Sequence, residues 1–377
     1  MRGSLKLFTW FGIPVFLHWS FGLIFLYILW YANDNELSLS ETTWMTGLFM
    51  ALFVCVLLHE YGHALAARRY GVNTRDIVLM PIGGVARLER MPEKPFQEFV
   101  VAIAGPMVNV IIAVLLFAGI WLFSQPEYLE ALRIALQTEA GEMQEDVSIE
   151  LPQAFRFVLN LAVTNVALVI FNMIPAFPMD GGRVFRALLS MRIGRPRATR
   201  IAALLGQGIA ILLGAYGLWS GNFMLPVLSL FVIYAARSEN DSVQMEDFLT
   251  RYHARDVLRP QFTRLRSTDW MLSAIEQLRH GLERHFLVFD LADHLVGSLE
   301  EDDIVKAMRK PDVTTEISRY LQRAELISIN DPLLRAFYFI RQRGYGIVGV
   351  VDEQGNLAGV IDEAGLHNFI RLEEKKA

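Results

Sequence analysis

His59-Glu60-Tyr61-Gly62-His63 sets two imidazoles four residues apart with a carboxylate between them. Four residues are about one helical turn, so both rings leave the same face and can grip one metal ion. Glu60 sits one step round, beside the coordination position that protein ligands would leave open. There it can take a proton from water. Two histidines and a glutamate at the end of an apolar helix are costly to keep in lipid, which sharpens the reading. The plainer alternative is a satisfied polar set at a helix end near the interface.

Two histidines leave a zinc site one protein ligand short, with water as the fourth. Of the other histidines only His18 precedes residue 237, and a packed interior or gating role suits it. The single cysteine, Cys55, excludes an intramolecular disulfide and a Cys-rich metal site. A carboxylate is therefore the better third ligand, and Asp180 stands out in Asn172-Met173-Ile174-Pro175-Ala176-Phe177-Pro178-Met179-Asp180-Gly181-Gly182. The prolines break the helix and the glycines permit a tight backbone path. The alternative for Asp180 is a turn or N-cap residue before a helix over Gly182 to Met191. Asn172 is a candidate buried amide that could hydrogen-bond a substrate backbone or a developing oxyanion. Its alternative is polar packing between helices.

The elements that hold these residues read as membrane helices. The chain is 53% hydrophobic and 20% charged with a mean hydropathy of +0.32. Its net charge of -5 excludes a basic nucleic-acid binder. Crossing hydrocarbon takes roughly 20 apolar residues. Leu7 to Asn33, Phe99 to Pro126 and Phe157 to Met179 are charge-free, and Trp44 to Leu58 is apolar with a helical pattern running on through Ala67. Residues 201–236 read as a hairpin of two short spans around Ser220-Gly221-Asn222. That predicts about six transmembrane helices. Basic side chains crowd 67–97 and 183–200, whereas 33–43 and 124–156 are acidic. The basic loops belong in the cytoplasm, with both termini. The second and fourth helices then run the same way, bringing His59 and Asp180 to one end of the bilayer.

The two motifs together resemble the site-2 protease family of intramembrane metalloproteases. His59-Glu60-Tyr61-Gly62-His63 matches its HExxH motif, and Asn172, Pro175, Pro178, Asp180 and Gly181 match its N-x-x-P-x-x-P-x-D-G motif. Phe16-Leu17-His18-Trp19 resembles the family's first-helix motif, and Gly105-Pro106-Met107-Val108-Asn109 its third-helix motif. Met80-Pro81-Ile82-Gly83-Gly84 resembles a membrane-associated hairpin that the family is thought to pair with substrate as an edge strand. The resemblance covers about residues 8–236. It implies one zinc ion per chain on His59, His63 and Asp180, with Glu60 and Asn172 catalytic. It also implies a substrate unwound into extended backbone along a strand near Pro81 to Arg87.

Residues 253–372 repeat at an offset of 62: Ala274 aligns with Ala336, Leu278 with Ile340 and Ile304 with Leu366. Each copy reads as helix, buried strand, turn, second strand and helix. This is similar to a tandem pair of CBS domains, which often bind adenine nucleotides between copies. Asp303 is the candidate ribose partner, or else a solvated acid at a helix end. Glu300 and Asp362 stand where the family commonly has a hydroxyl, and acids there repel phosphate.

The expected architecture is a membrane all-α domain over 1–236 with a small β-hairpin or sheet, a linker over 237–252, and a soluble α/β CBS pair over 253–377. Its copies span about 253–310 and 316–372. The expected function is intramembrane zinc endopeptidase action on membrane proteins bearing a transmembrane or signal-peptide-like segment. The alternative is a CBS-regulated metal-ion transporter or channel. The expected setting is the cell membrane, multi-pass, with lipid and substrate as partners, no nucleic acid, and the CBS pair as a candidate homodimer contact.

Overall fold

A computed structural model describes residues 3–81, 83–89, 92, 94–128, 151–281, 283–308 and 315–374. The chain divides into two compact units, Met1–Asp241 and Ser242–Ala377. Among the described residues, four helices are long and apolar enough to cross a membrane: Leu39–Arg69, Pro95–Phe123, Gln153–Asn172 and Arg195–Ser220. Most of the acidic loop used for orientation lies at 129–150, outside the described residues.

The first apolar window corrects the sequence expectation. It holds two strands, β1 (Ser4–Trp10) and β2 (Ile13–His18), and then a helix, α1, of only 13 residues at Gly22–Asp34. Phe11 and Gly12 adopt positive φ values of 49° and 75°, and Pro14 follows them. Such a turn stops a helix, and apolarity alone cannot tell a strand from a helix. β1 and β2 pair with β3 (Thr74–Met80) and β4 (Gly83–Leu88) in one sheet ordered β1-β2-β3-β4. β2 and β3 run parallel, with Val15 opposite Ile77, and the outer pairs are antiparallel. The β3–β4 hairpin is cross-linked by Arg87, whose Nε donates to Asp76 Oδ1 at 2.6 Å. β4 is an edge of the sheet.

The sheet lies on α2 (Leu39–Arg69), burying Ile13, Val15, Ile77 and Leu79 against Phe53, Leu57, Tyr61 and Ala64. α2 begins with a capping box in which Ser38 N–H donates to Glu41 Oε2 at 2.9 Å and Ser38 Oγ accepts from Glu41 N–H. The box satisfies two orphan donors. Arg68 and Arg69 close the last turn, where cations suit the dipole. α3 (Pro95–Phe123) starts on a proline at its first position and packs along α2. The turn expected within 201–236 falls at Gly221, between helices Arg195–Ser220 and Met224–Arg251, but these are not two short spans: they have 26 and 28 residues, and of the two only the first is among the four span candidates. The second arm stays helical through the expected linker.

The second unit contains two three-stranded sheets. One joins β5 (Arg264–Arg266), β6 (Phe286–Phe289) and β7 (Leu295–Leu299). The other joins β8 (Leu326–Ser328), β9 (Ile347–Val351) and β10 (Leu357–Asp362). In each, the first pair is parallel and the second antiparallel. The offset of 62 carries one core onto the other: Leu265, Ala274, Val288 and Ile304 correspond to Ile327, Ala336, Val350 and Leu366, all buried. A period seen in the sequence is thus a duplicated core.

Candidate metal centre and active site

His59 and His63 leave one face of α2, one turn apart, with both side chains buried. Their Nε2 atoms lie 3.1 Å apart, and each is 3.1 Å from Asp180 Oδ2. Asp180 is the first residue of the helix Asp180–Ile193, so that helix starts two residues before the expected Gly182, and its N-cap is Met179. The segment between Asn172 and Asp180 is irregular, with Ala176 and Phe177 fully buried as its anchor. Arg186, also fully buried, stacks its guanidinium 4.9 Å from the Phe177 ring centre. It donates to Glu98 Oε1 and to Glu239 Oε1, each at 2.6 Å. The loop that presents Asp180 is therefore clamped onto α3 and the helix Met224–Arg251.

The outer nitrogens fix the tautomers. His59 Nδ1 donates to Asn109 Oδ1 at 3.2 Å, and His63 Nδ1 donates to the Val101 carbonyl at 2.8 Å. An imidazole that donates through Nδ1 while neutral keeps its lone pair on Nε2. Two nitrogen lone pairs and a carboxylate oxygen thus converge within hydrogen-bond distance of one another. A divalent cation resolves that repulsion, and a neutral nitrogen pair plus one carboxylate is a donor set that suits zinc. Among the described residues this is the one such group of three ligands. His18 lies outside it, its Nδ1 2.6 Å from Ser20 Oγ at the end of β2.

α3 closes over the centre because residue 105 is glycine. A Cβ there would stand 2.2 Å from His63 Nε2 and 2.7 Å from His59 Nε2. On the opposite side, Glu60 Oε2 accepts the Ala86 N–H of β4 at 2.8 Å. A Cβ on Gly84 would lie 2.7 Å from Glu60 Cγ, so the strand reaches the carboxylate only as glycine. His59, His63, Asp180, Glu60, Gly84 and Ala86 line one cavity of ≈ 380 Å³, with Asn172 and Arg183 on its wall. Five of the six site residues read from the sequence are thus brought together: His59, Glu60, His63, Asn172 and Asp180. The sixth, Asp303, belongs to the second unit, where it accepts from Lys306 Nζ at 2.9 Å and from Gln322. Asn109 appeared in the sequence only as part of a motif, and Val101 and Arg183 carried no signal of their own.

This geometry has known counterparts. Residues 47–215 match the model of peptidase family M50. The zinc metalloprotease MJ0392 of Methanocaldococcus jannaschii is 35% identical over 260 residues, covering 69% of this chain and 67% of that protein. The chain belongs to peptidase family M50. It is a zinc metalloendopeptidase of the site-2 protease type, and its helices make it a membrane protein. A solved site-2 protease from the same archaeon is 36% identical, with 63% of this chain and 95% of that chain covered at a TM-score of 0.43. A CBS domain of a bacterial CNNM/CorC family Mg2+ transporter solved with ATP is 17% identical, with 35% of this chain and 96% of that chain covered at a TM-score of 0.31. Within the M50 region fall both histidines, Glu60, Asn172 and Asp180.

Proposed function

We propose that this M50 protease cuts peptide bonds in or next to a transmembrane or signal-peptide-like segment of another membrane protein. The observation that carries the reading is the convergence of His59, His63 and Asp180 on one point, with Glu60 in the same cavity beside the free edge of β4. His59, His63 and Asp180 would hold the zinc. When bound there, zinc supplies Lewis acidity toward water and the scissile carbonyl. Glu60 accepts a proton from the attacking water and returns it to the leaving amine. Asn172, whose amide makes no hydrogen bond among the described residues, is free to bind a peptide carbonyl. The substrate enters as extended backbone, because a helix keeps its carbonyls in internal hydrogen bonds. β4 is the edge strand beside Glu60, which already holds its Ala86 N–H, and the substrate would pair along that edge.

The basic loops support a cell-membrane arrangement with both termini and the second unit in the cytoplasm. The short helix α1 and the apolar arm of Met224–Arg251 complete six membrane segments in this reading. The duplicated second unit acts as a CBS pair that regulates cleavage through self-association or substrate docking. An adenine nucleotide at Asp303 would have to displace Lys306 and Gln322.

The test uses protein purified in detergent. Zinc per chain and cleavage of single-span proteins are compared for wild type and Glu60→Gln. The protease reading expects zinc retained and cleavage abolished. Ion flux that persists in Glu60→Gln, with no protein cut by wild type, would instead make the chain a transporter.

A further inference from the structure

The helix Asp180–Ile193 carries two arginines toward the protease core, and they are treated differently. Arg186 spends its guanidinium on Glu98, Glu239 and Phe177. Arg183 is one turn earlier, three residues after Asp180 and so on the same helix face. It lines the catalytic cavity with Glu60, Asn172 and Asp180. Among the described residues it makes no hydrogen bond, and its Nε is buried without an acceptor. Its nearest anion is Asp180 Oδ1, 3.8 Å from NH1, beyond hydrogen-bond reach. Asp180 Oδ2 is already given to the two histidines. A guanidinium is costly to bury with its donors idle. Arg183 is nevertheless held at the wall of the reaction cavity, with its side chain 31% exposed.

Charge says what it waits for. The cavity wall carries the carboxylates of Glu60 and Asp180. Peptide hydrolysis moves negative charge within the cavity: Glu60 becomes neutral as it takes a proton, and the charge it gives up appears on the carbonyl oxygen. Water loses a proton to Glu60, its oxygen bonds to the carbonyl carbon, and the C=O π pair moves onto the carbonyl oxygen. When that pair returns, the C–N bond breaks and Glu60 gives its proton to the amine nitrogen. We propose that Arg183 is a catalytic residue that, together with Asn172, donates to this oxyanion. The inference rests on the protease reading and adds a positive donor to it. Asn172 is neutral and gives direction, whereas Arg183 gives both direction and charge, which matter most where water is excluded.

The test measures binding, on the full chain, zinc-loaded, in detergent, in a Glu60→Gln background so that nothing is turned over. One probe is a capped apolar hexapeptide with a central phosphinic group, a stable tetrahedral anion. The other is the uncharged parent peptide. Glu60→Gln alone should prefer the phosphinic probe. Adding Arg183→Gln should weaken that probe about a hundredfold, the size expected for one lost oxyanion donor. The parent peptide and the zinc content should barely change. Arg183→Lys, which keeps charge but loses the planar fork, should recover part of the preference. A preference that survives Arg183→Gln overturns the inference alone. Equal weakening of both probes, or loss of zinc, would make Arg183 a support for Asp180 and also overturn it. No preference in Glu60→Gln itself would overturn the hydrolytic reading of the cavity, and this inference with it.

Discussion

Asn109 shows how much of a metal site lies outside its ligands. Its Oδ1 accepts from His59 Nδ1 and so presents the other nitrogen to the cation. Removing such a partner typically lowers metal affinity by about 10–100-fold. Asn109→Ala should therefore weaken zinc by that order in a chelator competition, while Asp180→Ala should empty the site. Unchanged zinc in Asp180→Ala would reject that ligand assignment. The ligands were legible in the sequence because one helical turn fixes the spacing of His59 and His63. Asn109 and Arg183 were not, because their roles depend on where α3 and the helix Asp180–Ile193 lie in space. In the second unit, His285 Nδ1 contacts Glu300 Oε2 at 2.5 Å, and both Glu300 oxygens accept the Gly346 N–H at 3.1 Å. Burial pushes His285 down, but the hydrogen bond and charge of Glu300, helped by Glu301 and Asp362, outweigh it and hold His285 above its ordinary value. A raised histidine stabilises the fold fully below its unfolded value near 6.5, and the gain drains as pH rises through the folded value. The thermal midpoint of this unit should fall over that window. Glu300→Gln should cost about 2 kcal/mol at pH 6, as expected for a hydrogen bond to a charged group, and flatten the dependence. An unchanged pH slope in that variant would remove the pair from the account.

At the scale of elements, the metal centre exists because two helices and a strand edge come unusually close. Gly105 brings α3 to the imidazoles, and Gly84 brings β4 to Glu60. Gly105→Ala should abolish zinc binding, since its methyl would occupy the space of both Nε2 atoms. Circular dichroism of the variant should remain helical, because alanine suits a helix better than glycine. Retained zinc would mean that α3 can withdraw without cost. The long helices were legible from apolar length, and the hairpin of Arg195–Ser220 and Met224–Arg251 from its turn residues. The strands β1 and β2 were not. They are short, and their residues are as apolar as those of a spanning helix. Only Gly12 and Pro14 hinted at a break, and strand partners 62 residues away, such as Ile77 opposite Val15, decided the matter.

At the scale of the whole molecule, the described residues that line the catalytic cavity run from Val56 to Arg183, all in the first unit. A chain cut back to its first unit should therefore still bind zinc. Where the cut falls matters. Charge distribution in the sequence ends the membrane domain at 236 and assigns Glu239 to a charged linker. In the structure, Glu239 Oε1 accepts from Arg186 NH1 at 2.6 Å, and Arg186 has no exposure to solvent. Removing one partner of a buried pair costs roughly 3–5 kcal/mol, though the partial exposure of Glu239 places this case toward the lower end. Arg186 also stacks on Phe177, so the loss is felt three residues from Asp180. A chain of residues 1–241 should thus keep zinc and cleavage, while one of residues 1–236 should unfold earlier on heating and bind zinc more weakly. Equal thermal midpoints and zinc affinities for the two chains would show that the Arg186 clamp does not hold the Asp180 loop. Zinc loss from both would show instead that the centre depends on the second unit.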